Sequence, residues 1–255
     1  MSYKSEIEWT DATWNPVSGC TKVSPGCAHC YAESITLRFK RGGPFLPGKS
    51  TIKLHPERLK LPLSWNTPRR IFVNSMSDLF HEEVPLSFIR EVFSVMERSP
   101  KHVFQILTKR HQRLAQLAPE LFWASNIWMG VSVENQVWAD RRIPCLKQVP
   151  AIVRFLSCEP LLRPVDLSNH LDGLHWVIVG GESGFKARRM DPNWVRSLRD
   201  QCHTANVPFF FKQWGGRTSK AGGRMLDGRV WNEMPETCSP NADIKLQTVA
   251  NIGIS

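Results

Sequence analysis

Six short runs of uninterrupted apolarity stand out along the chain: IFVNS from Ile71, VFQILT from Val103, IWMGVSV from Ile127, AIVRFLS from Ala151, WVIVGG from Trp176 and PFFFKQW from Pro208. They are rich in β-branched and aromatic residues and do not alternate with polar positions. That pattern predicts strands covered on both faces, as in a parallel sheet. Their starts lie 24 to 32 residues apart, room for a strand, a helix and two loops.

Helical spacing fills several gaps. From Pro85, a good first-turn residue, Ile89, Val92, Phe93 and Met96 share one face while Arg90, Glu91 and Glu97 fall elsewhere. Asp191 followed by Pro192 starts another helix, with Trp194, Val195, Leu198 and Cys202 on its apolar side. A further strand is expected just before Cys20, and a helix over residues 28–41 with Ile35, Leu37 and Phe39 for packing.

This alternation predicts an α/β protein: a partial (β/α) barrel of six to seven parallel strands over residues 1–216, with a C-terminal extension over 217–255. Even spacing, and the lack of a Gly-rich fingerprint after the first strand, favour a barrel over a doubly wound sheet. GGPFLPGKST, residues 42–51, reads as a loop, residues 217–229 as a basic, Gly-rich surface loop or lid, and 236–255 as a peripheral tail.

Composition narrows the class. The 255 residues are 42% apolar and 22% charged, ordinary for a chain with a large core. No stretch approaches the roughly 20 apolar residues of a membrane helix, and the N-terminus lacks a signal-peptide layout, so a cytoplasmic location without membrane contact is expected. The formal charge of +10 favours polyanions or phosphorylated ligands. A merely soluble basic surface would carry the same charge.

In barrels the working residues lie at the carboxyl ends of the strands. Here those ends carry Asn74, Ser75 and Asp78; Thr108, Lys109 and Arg110; Ser132, Glu134 and Asn135; Ser157, Cys158 and Glu159; Glu182 and Ser183; Lys212, Gln213 and Trp214. Polar strand ends are common, since strands exit into solvent. Glu159 and Glu182, however, emerge directly from apolar runs, where an unpaired carboxylate is costly, so each is expected to have a ligand or a basic partner. Lys109, Arg110, Arg113, Lys186, Arg188, Arg189, Lys212 and Arg217 gather at the same end, which suits a phosphate-bearing substrate. Arg69, Arg70, Arg141 and Arg142 read as solvated surface. Trp214 is the best placed of ten tryptophans to stack on a base.

Three of the seven cysteines, Cys20, Cys27 and Cys30, fall within SGCTKVSPGCAHCYAE. A structural zinc site needs four ligands, and no second Cys or His pair follows. Three thiolates without a fourth match a [4Fe-4S] cluster that leaves one iron open to a small molecule. A three-cysteine loop after the first strand of a (β/α) barrel resembles the radical S-adenosylmethionine (SAM) enzymes. WNPVSGC, CAHCYAE, SCEPLL, VGGESG and FFFKQWGG together resemble a phage-borne family of radical-SAM-like proteins, over nearly the whole chain to about Gly216.

The resemblance implies a [4Fe-4S] cluster on Cys20, Cys27 and Cys30, and SAM as cofactor. It also implies an electron donor of the flavodoxin or ferredoxin type, and reductive cleavage of SAM to a 5'-deoxyadenosyl radical that abstracts hydrogen from substrate. Six residues separate the first two cysteines where the superfamily has three, and His29 stands in place of the usual aromatic. Tyr31 is then the candidate adenine-side contact. Gly180, Gly181 and Glu182 follow a late strand, so the superfamily's Gly-Gly-Glu role does not carry over to them. By position, Asn74 and Ser75 stand nearest the SAM amino group, with Ser132, Glu134 and Asn135 at the ribose. Glu159, Glu182, Lys109 and Lys212 are candidates for holding substrate or SAM, the substrate being a nucleic acid or nucleotide for modification or repair.

Two other readings compete: a non-enzymatic nucleic-acid-binding protein with a structural zinc or iron-sulfur site, and a zinc-dependent hydrolase. The hydrolase is the weaker, because no His-Glu-x-x-His pair is present and His81-Glu82-Glu83 does not form one.

Overall fold

The computed structural model describes residues 5–39 and 52–236. Seven parallel strands form one sheet in chain order: β1 (Ala12–Trp14), β2 (Arg70–Val73), β3 (Val103–Thr108), β4 (Ile127–Ser132), β5 (Val153–Cys158), β6 (Trp176–Gly180) and β7 (Phe209–Gln213). The sheet curls into a half-barrel, the partial (β/α) barrel expected from the strand spacing. Pairing is in register from Ala12 opposite Ile71 across to Val177 opposite Phe209, with a bulge at Val179 and Gly180.

Period-2 geometry sends alternate residues of each strand to opposite faces. Ile71, Val73, Ile106, Met129, Val131, Leu156, Val177 and Phe211 join the large core beneath the helices. Phe72, Trp128, Phe155, Trp176, Ile178 and Phe210 form a second, aromatic cluster that also takes in Trp9. This cluster fills the concave face. Trp176 lies at its centre, with the rings of Trp9, Trp128, Phe155 and Phe210 5.8 to 6.3 Å away. Gly130 is a glycine because a Cβ there would sit 2.5 Å from the Phe155 ring.

The helices are α1 (Tyr31–Phe39), α2 (Leu86–Glu97), α3 (His111–Leu117), α4 (Gln136–Lys147) and α5 (Pro192–Thr204). The Asn135 side chain caps α4 by accepting from Trp138 N (3.3 Å), and Asp191 caps α5 by accepting from Asn193 N (2.8 Å). Among the described residues no helix is long and apolar enough to cross a membrane.

Three expectations need correction. The first strand lies at Ala12–Trp14 rather than directly before Cys20; Val17–Ser18 pairs antiparallel with Lys53–Leu54 instead. Arg142 is fully buried rather than solvated, and Arg70 is tied to Asp11 by an ion pair of 2.8 Å. The C-terminal extension begins as the expected exposed turns over residues 217–224 but does not continue as a free loop. Met225–Leu226 and Arg229–Val230 form a hairpin, Phe211 N donates to Trp231 O (3.0 Å), and Trp231 is buried against the core. Expectations about the loop over 42–51, the end of the helix at 40–41 and the tail with Cys238 lie outside the described residues.

Candidate functional site

At the carboxyl ends of the strands the inward positions change from aromatic to polar. β4 places Ser132 inward after Trp128 and Gly130, β5 places Ser157 after Phe155, and β7 places Lys212 after Phe210. Lys109 Nζ donates to Ser132 Oγ (3.0 Å). Ser157 Oγ donates to Glu159 Oε2 (3.1 Å), and Glu159 Oε1 pairs with Lys212 Nζ at 3.1 Å. Gly180 leaves the space that Glu159 occupies. The carboxylate leaving the apolar run of β5 thus has the basic partner its position demanded.

The cysteine loop lies over this mouth, anchored by side chains from many strand ends. Ser77 Oγ donates to Gly19 O (2.6 Å), and Arg110 Nη2 donates to Thr21 O (3.1 Å) and Thr21 Oγ1 (2.8 Å). Ser24 Oγ donates to Glu134 Oε1 (2.5 Å), and Arg188 Nη2 to Pro25 O (3.0 Å). His29 Nδ1 and Glu182 Oε2 are 2.9 Å apart. Gly26 rests directly on the Glu134 side chain. α1 follows, and the Tyr31 hydroxyl donates to Ser75 O.

The charged anchors are themselves paired. Glu134 and Arg142, both fully buried, meet at 2.9 Å, and Arg142 also donates to Ser132 O (2.8 Å) and stacks on Trp138 at 4.1 Å. Arg188 donates to both oxygens of Glu182. Burial alone would raise the Glu182 carboxyl, but hydrogen bonds from Arg188 and His29 outweigh it and hold it down at about 2. Asp78 accepts from Thr108 Oγ1 (2.7 Å) and Lys109 N (3.0 Å), which orients the start of the loop carrying Lys109 and Arg110.

The sequence-predicted residues therefore divide. Lys109, Ser132, Glu159 and Lys212 meet in the mouth. Glu134 and Glu182, expected at ribose and substrate, anchor the cysteine loop, and Asn135 is occupied as a helix cap. Asn74 is buried at φ 60°, with Oδ1 accepting from Val17 N (3.2 Å), while Ser75 Oγ donates to Asn15 Oδ1 (3.2 Å). Arg113, counted among the basic residues of the mouth, instead donates to the carbonyls of His81 and Val84. The sequence pattern does not point to Ser24, and its charge pattern puts Arg142 on the surface. A signal for the burial of Arg142 was present: Ala139, Arg142, Ile143 and Leu146 fall at helical spacing on one buried face.

The donor set of the loop fits a thiolate-held cluster. Cys20, Cys27 and Cys30 are all partly accessible free cysteines. A donor that can stabilise sulfur charge stands beside one of them, with Arg110 Nη2 3.9 Å from Cys20 Sγ; Ser24 Oγ, 3.8 Å from Cys27 Sγ, gives its proton to Glu134. Burial first, then the Asp78 carboxylate, push the Cys20 thiol up to about 12, so a bound metal would be needed to hold it as thiolate. Among the described residues, no three His, Cys, Asp or Glu side chains are grouped to hold a single ion. Cys158 and Cys202 are buried in the core, apart from the loop.

No curated protein and no solved structure matches the chain. One family model does, over residues 4–235, and it takes in the half-barrel, the cysteine loop and the packed hairpin. The chain belongs to that family, described as protein of unknown function (DUF5131).

Proposed function

We propose that the protein is a cytoplasmic [4Fe-4S] radical SAM enzyme acting on an anionic substrate, a nucleic acid or nucleotide, for modification or repair. Its electrons would come from a flavodoxin- or ferredoxin-type donor. What supports this reading is the position of the three-cysteine loop: it lies over a polar mouth lined by Lys109, Glu159 and Lys212, at the strand ends where barrels do their chemistry.

Cys20, Cys27 and Cys30 would hold the cluster. When bound, the cluster and SAM supply one-electron reductive cleavage, which opens an unreactive C–H bond. The chain's own contribution is electrostatic and positional. Lys109 and Lys212 offer cations to a carboxylate or phosphate inside the mouth. Glu159, held against Lys212, can accept a hydrogen bond from a hydroxyl or amine of SAM or substrate. Ser132 and Ser157 hold these groups in place, and the aromatic floor around Trp176 keeps water from entering below.

A second reading, a nucleic-acid-binding protein with a structural metal, has one observation in its favour. Carboxylate-held histidines often ligate metals through the other ring nitrogen, and Glu182 holds His29 Nδ1 in that manner.

Anaerobic reconstitution decides between them. The enzyme reading expects about four irons and matching sulfide per chain, and release of 5'-deoxyadenosine from SAM under strong reductant. Cys20→Ala, Cys27→Ala and Cys30→Ala should each abolish both, whereas Cys202→Ala and His29→Ala should keep the iron. A chain that takes one zinc, loses it on His29→Ala and never holds iron would end the enzyme reading.

A further inference from the structure

A cleft of about 810 Å³ opens beside the cysteine loop, between the segments that follow β6 and β7. Its walls are built rather than incidental. Pairing of the two strands continues past their ends: Gly181 N donates to Gln213 O, Gly216 N to Glu182 O and Gly184 N to Gly216 O, each at 2.9 Å. Gly181 and Gly215 press backbone on backbone, where any Cβ would collide with the carbonyls of Trp214 and Glu182. Trp214 lines one wall, its indole fixed by donation to Met225 O (2.8 Å) and by an edge contact with Phe211. Arg188 and Arg189 line the other, and Arg188 joins this wall directly to the cysteine loop through Pro25 O.

The chemistry at the rim is one-sided. Lys186, Arg189, Arg217 and Lys220 are exposed, and none has an ion-pair partner among the described residues. The nearby carboxylates are committed: Glu182 is neutralised by Arg188, and Asp191 caps α5. Immediately before Lys186, in the loop that leads to Ala187, Phe185 is 86% exposed. A phenyl ring so open to water gains nothing for the fold.

An exposed aromatic next to unpaired cations, two residues from a cleft that holds a second, immobilised aromatic, matches what single-stranded nucleic acid requires: π-faces for bases and cations for the backbone. In a duplex the base faces are covered by stacking, so these rings would find no partner. We infer that the cleft and the adjoining loop together seat the nucleotides next to the target in single-stranded nucleic acid, with a base stacked on Phe185 and phosphates on Lys186 and Arg189. This rests on the nucleic-acid half of the function proposed above and not on its cluster chemistry.

The test is equilibrium binding of the full-length protein to labelled single-stranded DNA and RNA oligonucleotides, a matched duplex, and anionic phospholipid vesicles, over a salt series. Single strands should bind more tightly than duplex, with affinity falling as salt rises, and the preferred sugar identifies DNA or RNA. Phe185→Ala should weaken binding roughly 5- to 150-fold without changing the salt slope. The Lys186→Ala, Arg189→Ala double variant should lower that slope by about 1.4, two phosphate contacts' worth. All three side chains are exposed, so circular dichroism should match wild type. Salt-independent or absent binding, an unchanged affinity in Phe185→Ala, or binding to vesicles in place of oligonucleotides would each overturn the inference. Binding needs no cluster, so iron content and oligonucleotide affinity fail separately: a chain that binds single strands but takes up no iron sinks only the enzyme reading.

Discussion

A Cβ at position 26 would fall 2.5 Å from Cγ of Glu134, so the cysteine loop and the end of β4 meet at a point where only glycine fits. Ser24 Oγ reaches the same carboxylate at 2.5 Å. Both contacts lie within three residues of Cys27, which ties the placing of a proposed metal ligand to a buried side chain of the barrel.

Gly26→Ala should therefore act on the loop before the fold. The core beneath is untouched, so the melting temperature should change by only a few degrees. Iron retained after anaerobic reconstitution should fall severalfold. Wild-type iron content in Gly26→Ala would show that the loop adjusts freely.

Glu134 and Arg142 offer a way to separate stability from loop placement. Removing one member of a fully buried pair costs about 3 to 5 kcal/mol, because the other charge is left without compensation. Glu134→Leu or Arg142→Met alone should lower the melting temperature by roughly 6 to 20 °C. The Glu134→Leu, Arg142→Met double variant should recover much of that loss. It should not recover iron retention, since Ser24 still lacks its acceptor. Denaturant unfolding and iron analysis on the same three proteins read both effects.

The strands were legible because a parallel sheet buried on both faces writes itself as continuous apolar runs; Val103–Thr108 matches its run end for end. β1 was harder to see. Three residues, ATW, carry no run, and the strand is defined by pairing with Ile71–Val73, which sequence does not reveal. The cysteines and the polar strand ends were visible as well. Their division of labour was not, because Glu134 and Glu159 look alike in sequence. One ends opposite a buried arginine eight residues later, the other opposite a lysine from a strand far along the chain.

Lys212 and Glu159 pair with each other inside the mouth rather than with the cysteine loop. Lys212→Met should leave iron content near wild type while lowering SAM cleavage or substrate turnover by roughly 10²- to 10³-fold, the usual effect of losing one well-placed charged partner in a site. Equal loss of iron and turnover would instead make the lysine structural.

Asp11 fastens the short first strand: its carboxylate accepts from Arg70 N (2.8 Å) and Nε (3.1 Å). Partial burial raises its carboxyl, but the Arg70 bonds prevail and hold it below the usual 3.8. Its contribution is therefore complete above that value and is lost as pH falls through the lowered one. Asp11→Asn should cost up to about 1 kcal/mol at neutral pH, the pair being partly exposed, and the gap to wild type should close in strong acid. Urea unfolding at both pH values checks it.

Among the described residues the seven strands do not close into a ring. In the described residues β1 pairs only with β2, while β7 is covered on its far side by Trp231 and Asn232. A closed ring admits only what can enter through its end. If the proposed substrate is right, a trough with unpaired edges would let a long chain approach its mouth from the side, so a unit in the middle of a polymer would be reached without threading a terminus.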